Sequence, residues 1–174
     1  MAVHMVAERQ GQTRGVLFVH SCPRALCPHL EWAVSDVLGT RVSLDWMPQP
    51  VLPGQVRAEI SWLGAAGTAA RITSALRQFA AVRYEVAEEP GKGAEGERFA
   101  VTPSLGVFRA TMGPHGDIMI HEDRLRAILA ASGGDVADLR HGLDQVLGSA
   151  WDDELEPFRR ASEGVPVRWL HQVV

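Results

Sequence analysis

The feature that most constrains this chain is an alternation between two hydrophobic periods across residues 14–86. GVLFVH (15–20) is a short apolar run bounded by turn residues, the pattern of a buried strand. Leu30, Ala33, Val34, Val37 and Leu38 then fall on one helical face, with Pro28 suited to its first turn and Gly39 to its end. Val42, Leu44 and Trp46 alternate with polar residues, as do Val56, Ala58, Ile60 and Trp62 after the turn-rich PQPVLPG. That pair predicts an antiparallel hairpin with a long connection. Thr68 fits the cap of a second helix whose inner face carries Ile72, Leu76 and Phe79, and Val82, Tyr84 and Val86 alternate as a fourth strand. The order β-α-β-β-α-β predicts an α+β fold with a ferredoxin-like βαββαβ N-terminal unit over residues 14–90, preceded by a flexible N-terminus, 1–13.

Residues 91–174 extend this unit. EEPGKGAEGE (88–97) is a charged, glycine-rich loop, and RFAV, GVFRATM and DIMI, separated by PSLG and GPHG, predict a C-terminal β-meander. Glu122 and Asp123 suit the start of a short helix. A longer helix follows, with Val136, Leu139, Leu143, Val146, Leu147, Ala150 and Trp151 on one stripe, and VPVRWLHQVV closes the chain as a last strand. This helical extension either continues the first core or forms its own lobe.

Charge and composition remove several functions. A net charge of −4 with no concentrated basic face argues against nucleic-acid binding. No run approaches the ~18 apolar residues of a membrane span. The start lacks the apolar core of a signal peptide, and with two cysteines the expected location is cytoplasmic. GKG at 91–93 is not a P-loop, no GxGxxG follows a strand, and VRAEISW lacks the paired aromatics of an RNA-recognition sheet. Five tryptophans against one tyrosine point to core packing, with any exposed indole an interface anchor.

The most chemically suggestive stretch is HSCPRALCPH (20–29). His20, Cys22, Cys27 and His29 carry the donor types that zinc or copper prefers, so a metal site is one reading. A second is enzymatic, with Cys27 at a helix start as nucleophile and His20 or His29 as base. The third is structural: Pro23 and Pro28 shape a strand-to-helix turn, and cysteine packs as a small hydrophobe. The structural reading leads, and no cofactor is expected. WDDELEPF offers a partner-binding surface in which Asp152, Asp153, Glu154 and Glu156 form the rim, with Trp151 or Phe158 as anchor. Trp46 and Trp62 belong to adjacent predicted strands and either line a ligand cleft or pack beneath the helices.

RGVLFVHSCPRALCPHLEWAV, the SLDWMPQP run, AWDDELEPFRRAS and VRWLH together resemble DUF3145, an actinobacterial family of unknown function, over Thr13–Val174. Cys22 departs from the small residue common at that position in the family, which weakens a four-ligand metal site. The resemblance implies an accessory or regulatory role in acyl-chain metabolism and transfers no catalytic residues. The resulting expectation is a non-catalytic binding or regulatory protein, acting through a protein partner or a small ligand. Self-association as a homodimer through sheet edges or faces is expected by analogy of fold.

Overall fold

The computed structural model describes residues 12–91 and 93–161. The strand expected over VPVRWLHQVV and most of the expected flexible N-terminus lie outside the described residues. In chain order the elements are β1 (Gln12–Pro23), a 3-10 turn (Arg24–Leu26), α1 (Cys27–Leu38), β2 (Met47–Pro48), β3 (Gln55–Ala65), α2 (Thr68–Leu76) and β4 (Arg83–Glu88). There follow β5 (Gly96–Thr102), β6 (Gly106–Met112), β7 (Ile118–Met119), α3 (Glu122–Ser132), α4 (Val136–Leu147) and α5 (Ser149–Arg160). The fold is mixed α/β. All seven strands join one antiparallel sheet in the order β2-β3-β1-β4-β5-β6-β7.

The two-residue period of the strands divides the sheet into two covered faces. Leu17 and Val19 of β1, Tyr84 and Val86 of β4, and Phe99 and Val101 of β5 point to the first face. There they meet Leu30 and Val34 of α1 and Ile72 and Leu76 of α2, all fully buried. Each such side chain contributes roughly 1.5–3 kcal/mol of apolar burial. Tyr84 joins them because its hydroxyl donates to the Thr73 carbonyl at 3.0 Å. On the second face, Ala100, Phe108 and Ala110 lie under Leu155 of α5, beside Val16, Phe18 and Ala87.

A β-bulge sets which face each end of β1 addresses. The register shifts between Val19 and Ser21 against β4, and between Val19 and Cys22 against β3. The extra residue keeps His20 on the second face while returning Cys22 to the first-face core. The His20 carbonyl accepts from the buried Gln49 side-chain amide at 2.6 Å.

Three local expectations are corrected. Residues 42–46 form no strand, because the N–H groups of Val42 and Leu44 are taken by side chains of α1. Val42 donates to Ser35 Oγ at 2.8 Å and Leu44 to Glu31 Oε1 at 2.8 Å, leaving only Met47–Pro48 to pair with β3. Thr68 does not cap α2: the buried Glu88 carboxylate accepts from the N–H groups of Gly67 and Ala69, each at 2.8 Å. The single helix expected over 136–151 is two, broken at Gly148 with φ +76°. The break has a packing reason, since a Cβ there would stand 2.6 Å from the Phe108 ring.

Candidate functional site

Glu85 occupies the middle of the second face, paired with Phe18 on β1 and Ala100 on β5. It is 1% exposed. Glu85 is satisfied from three elements. His20 Nε2 lies 2.7 Å from Oε2, and Arg98 Nη2 of β5 donates to Oε1 at 2.9 Å. Arg159 of α5 donates from Nε to Oε2 at 3.0 Å and from Nη2 to Oε1 at 2.7 Å, a bidentate fork. Asp152, two turns earlier on α5, takes the same two arginines, at 2.5 Å from Arg98 and 2.8 Å from Arg159. The sheet and the helix therefore each contribute one guanidinium and one carboxylate, and the four groups pair both within and across the gap.

The electrostatics follow from burial and pairing. Burial by itself would raise the Glu85 carboxyl, but hydrogen bonds and charge from His20 and Arg159 outweigh it. They hold Glu85 well below the usual carboxylate range. For Arg98 and Arg159 burial opposes the charge, while Glu85 and Asp152 hold both above the ordinary arginine value. An ionised Glu85 accepts only, so His20 Nε2 carries the hydrogen between them.

Beside this cluster runs a cleft of about 440 Å³. Its apolar wall is Val16, Phe18, Ala87, Met112 and Ile118, and its charged wall is Arg98, Asp152, Glu156 and Arg159. Asp152 and Glu156 keep 40% and 45% of their side chains exposed at the rim. The arrangement offers an apolar slot ending at fixed, mutually neutralised charges, and it is suited to holding a molecule in one orientation. A second cleft, of about 520 Å³, opens on the first face between α2 and β5–β6. Among the described residues, Arg77 is the one charged residue lining it.

The HSCPRALCPH residues divide between environments. His20 turns to Glu85 on the second face, whereas Cys22 is fully buried in the first-face core. Cys27 begins α1, partly buried, and its thiol approaches the Pro23 carbonyl oxygen at 3.9 Å, the same oxygen to which Cys22 donates at 3.3 Å. His29 is exposed on α1, edge-on to the ring of the exposed Trp32 at 5.2 Å. Burial, reinforced by Cys27, pushes the Cys22 thiol up to about 12, and burial also raises Cys27. Neither shift favours a thiolate. Among the described residues no group of three or more His, Cys, Asp or Glu side chains is placed to hold a metal ion.

The acidic helix end faces the sheet. Trp151 packs on Phe108 with ring centroids 5.3 Å apart and donates Nε1–H to the Gly106 carbonyl at 3.0 Å. Asp152 joins the arginine pair, and Asp153 is exposed. Glu154 accepts from Arg83 at 3.2 Å, from Thr102 at 2.9 Å and from Ser104. Glu156 accepts from Arg160 at 2.9 Å, and Phe158 is buried beneath the Arg83 guanidinium, 5.1 Å from its ring. Trp46 and Trp62 both pack in the first-face core, where Trp46 donates Nε1–H to Glu31 at 3.0 Å.

Glu85 and Arg98 escaped the sequence reading because each stands beside apolar residues of the opposite face (Tyr84 and Val86 for Glu85, Phe99 for Arg98), and Arg159 because it ends a charged helix. Glu85 sits between Tyr84 and Val86, so period-2 logic sends it to solvent. The available signal was a row of small residues, Ala87, Ala100 and Ala110, on one face of three adjacent strands. Such a row leaves room for a helix to approach closely.

No described helix is long and apolar enough to cross a membrane. Comparison with curated proteins and with solved structures finds no match. The family model described as "Protein of unknown function (DUF3145)" matches residues 16–172. Because the matched span covers nearly the whole chain, the protein belongs to the DUF3145 family.

Proposed function

We propose that this is a non-catalytic binding protein that holds a small amphiphilic ligand in the cleft beneath α5. The ligand's apolar body, of the acyl-chain class, lies along Val16, Phe18, Ala87, Met112 and Ile118, and its polar head reaches the rim at Asp152 and Glu156. The observation that carries this reading is the joining of an apolar wall to a rigid, charge-balanced end wall in one cleft. A role beside acyl-chain metabolism, in the cytoplasm, fits that ligand class, and two free thiols suit a reducing compartment. We also assign residues 14–90 a ferredoxin-like arrangement, supported by the strand order β2-β3-β1-β4 with α1 and α2 on one face.

The test is equilibrium binding of straight-chain amphiphiles of graded length carrying carboxylate, alcohol or amine heads. Saturable one-to-one binding is expected, weakened at least tenfold by Ala87→Phe, which fills the slot, and by Ile118→Glu, which charges its mouth. Val107→Glu, in the other cleft, should leave binding unchanged. Equal weakening by all three variants, or no saturable binding by any amphiphile, contradicts the reading.

A protein-partner reading has its own support in the α3–α4 hairpin, where Leu129 is 58% and Val136 71% exposed. Affinity purification with Leu129→Glu and Val136→Glu tests it. Retention of every captured partner by both variants removes that surface from consideration.

A further inference from the structure

We propose that Cys22 and Cys27 form a reversible intramolecular disulfide, which makes the corner between β1 and α1 a redox-modified site. The proposal is independent of the ligand cleft, which lies on the other face of the sheet.

The geometry rests on one carbonyl. Cys22 Sγ donates to the Pro23 oxygen at 3.3 Å, and Cys27 Sγ approaches the same oxygen at 3.9 Å. Both thiols are free, and only four residues separate them. Joining them requires the sulfurs to close to about 2.05 Å. The segment able to give is the short one between them: Arg24 and Ala25 are exposed, and the 3-10 turn they begin contains no buried residue. On the other side, Cys22 sits at a strand bulge, where the ladder is already interrupted.

Unequal exposure assigns the two roles. Cys27 is partly exposed and meets the oxidant, whereas Cys22 is sealed in the core and resolves. With a low-molecular-weight disulfide RSSR as oxidant, the Cys27 sulfur attacks one sulfur of RSSR. The R–S–S–R bond breaks, a Cys27–S–S–R bond forms, and one RSH departs with the Cys27 proton. The Cys22 sulfur then attacks Cys27 Sγ, a second RSH leaves with the Cys22 proton, and the protein disulfide remains. Two thiols are oxidised by two electrons and one RSSR is reduced to two RSH. Burial keeps the attacking thiolate scarce at neutral pH, so the exchange is slow and accelerates as the pH rises.

The experiment exposes the reduced full chain to defined ratios of oxidised to reduced glutathione. Samples are acid-quenched, alkylated with N-ethylmaleimide, and read by intact and peptide mass. The expected product lacks two hydrogens and both alkylations, carries a Cys22–Cys27 cross-link, follows the glutathione ratio, and reverts with dithiothreitol. Cys22→Ser should stop at a glutathione adduct on Cys27, and Cys27→Ser should stay unmodified while folded. A wild-type adduct on Cys27 that never resolves, cross-linking between chains, or a disulfide that forms only in denaturant overturns the proposal.

Discussion

Glu85 is surrounded by donors from β1, β5 and α5, and its removal strands charge. Glu85→Ala leaves Arg98 and Arg159 to share Asp152, and breaking a buried pair of this kind costs about 3–5 kcal/mol, measurable by urea unfolding. The same residue shapes the acid limb. Its folded pKa lies below its unfolded value of 4.5, so the unfolded state binds more protons as the pH falls. Its stabilisation is therefore full above about pH 4.5 and is lost progressively below it, and Glu85→Gln should flatten that loss. Gly15 illustrates a steric requirement. A Cβ there would stand 2.0 Å from the Trp62 ring and 2.5 Å from the Ala87 carbonyl oxygen. Gly15→Ala should destabilise by roughly 1–3 kcal/mol through overpacking, with a lowered urea midpoint and an unchanged slope.

At the scale of elements, α5 covers the second face. Leu155 is fully buried against Ala100, Phe108 and Ala110, while Asp152 and Arg159 fix the helix to Glu85 and Arg98. Leu155→Ala should cost about 2–5 kcal/mol. Hydrogen exchange in that variant should release α5 amides before those of β1 and β4; simultaneous release of all three would contradict separate attachment of the helix. The strands β1, β3 and β4 and both first-face helices were legible in sequence, because each carries a clean period of its own. Residues 42–46 were not, since Val42 and Leu44 alternate like a strand while their N–H groups bond to Ser35 and Glu31. The break at Gly148 depends on Phe108, forty residues away, and local periodicity holds no trace of it. The site was less legible than the fold. His20 drew attention as a possible ligand, yet its partner is a strand residue sixty-five positions on, revealed only when β1 and β4 pair.

The described residues build a single sheet clad differently on its two sides: apolar helices on one, a salt-bridged helix with a slot beside it on the other. The first face sets the alkaline limit. Burial pushes Cys22 up to about 12 from an ordinary 9.0 and raises Tyr84 as well. The folded state thus holds protons that the unfolded chain releases. Stability from these groups is full below about pH 9 and declines as the pH rises toward 12, and Cys22→Ala should remove its own share of that decline, leaving the parts that Cys27 and Tyr84 contribute. The second face carries the functional claim. Its most direct test is methyl NMR of the protein titrated with the tightest-binding amphiphile, because Val16, Ala87, Met112 and Ile118 each place a methyl in the cleft wall. Shifts concentrated on those four methyls, with Val101 and Val107 of the opposite cleft unmoved, are the predicted result. Shifts concentrated on Val101 and Val107, or none at saturating ligand, would contradict a binding site beneath α5.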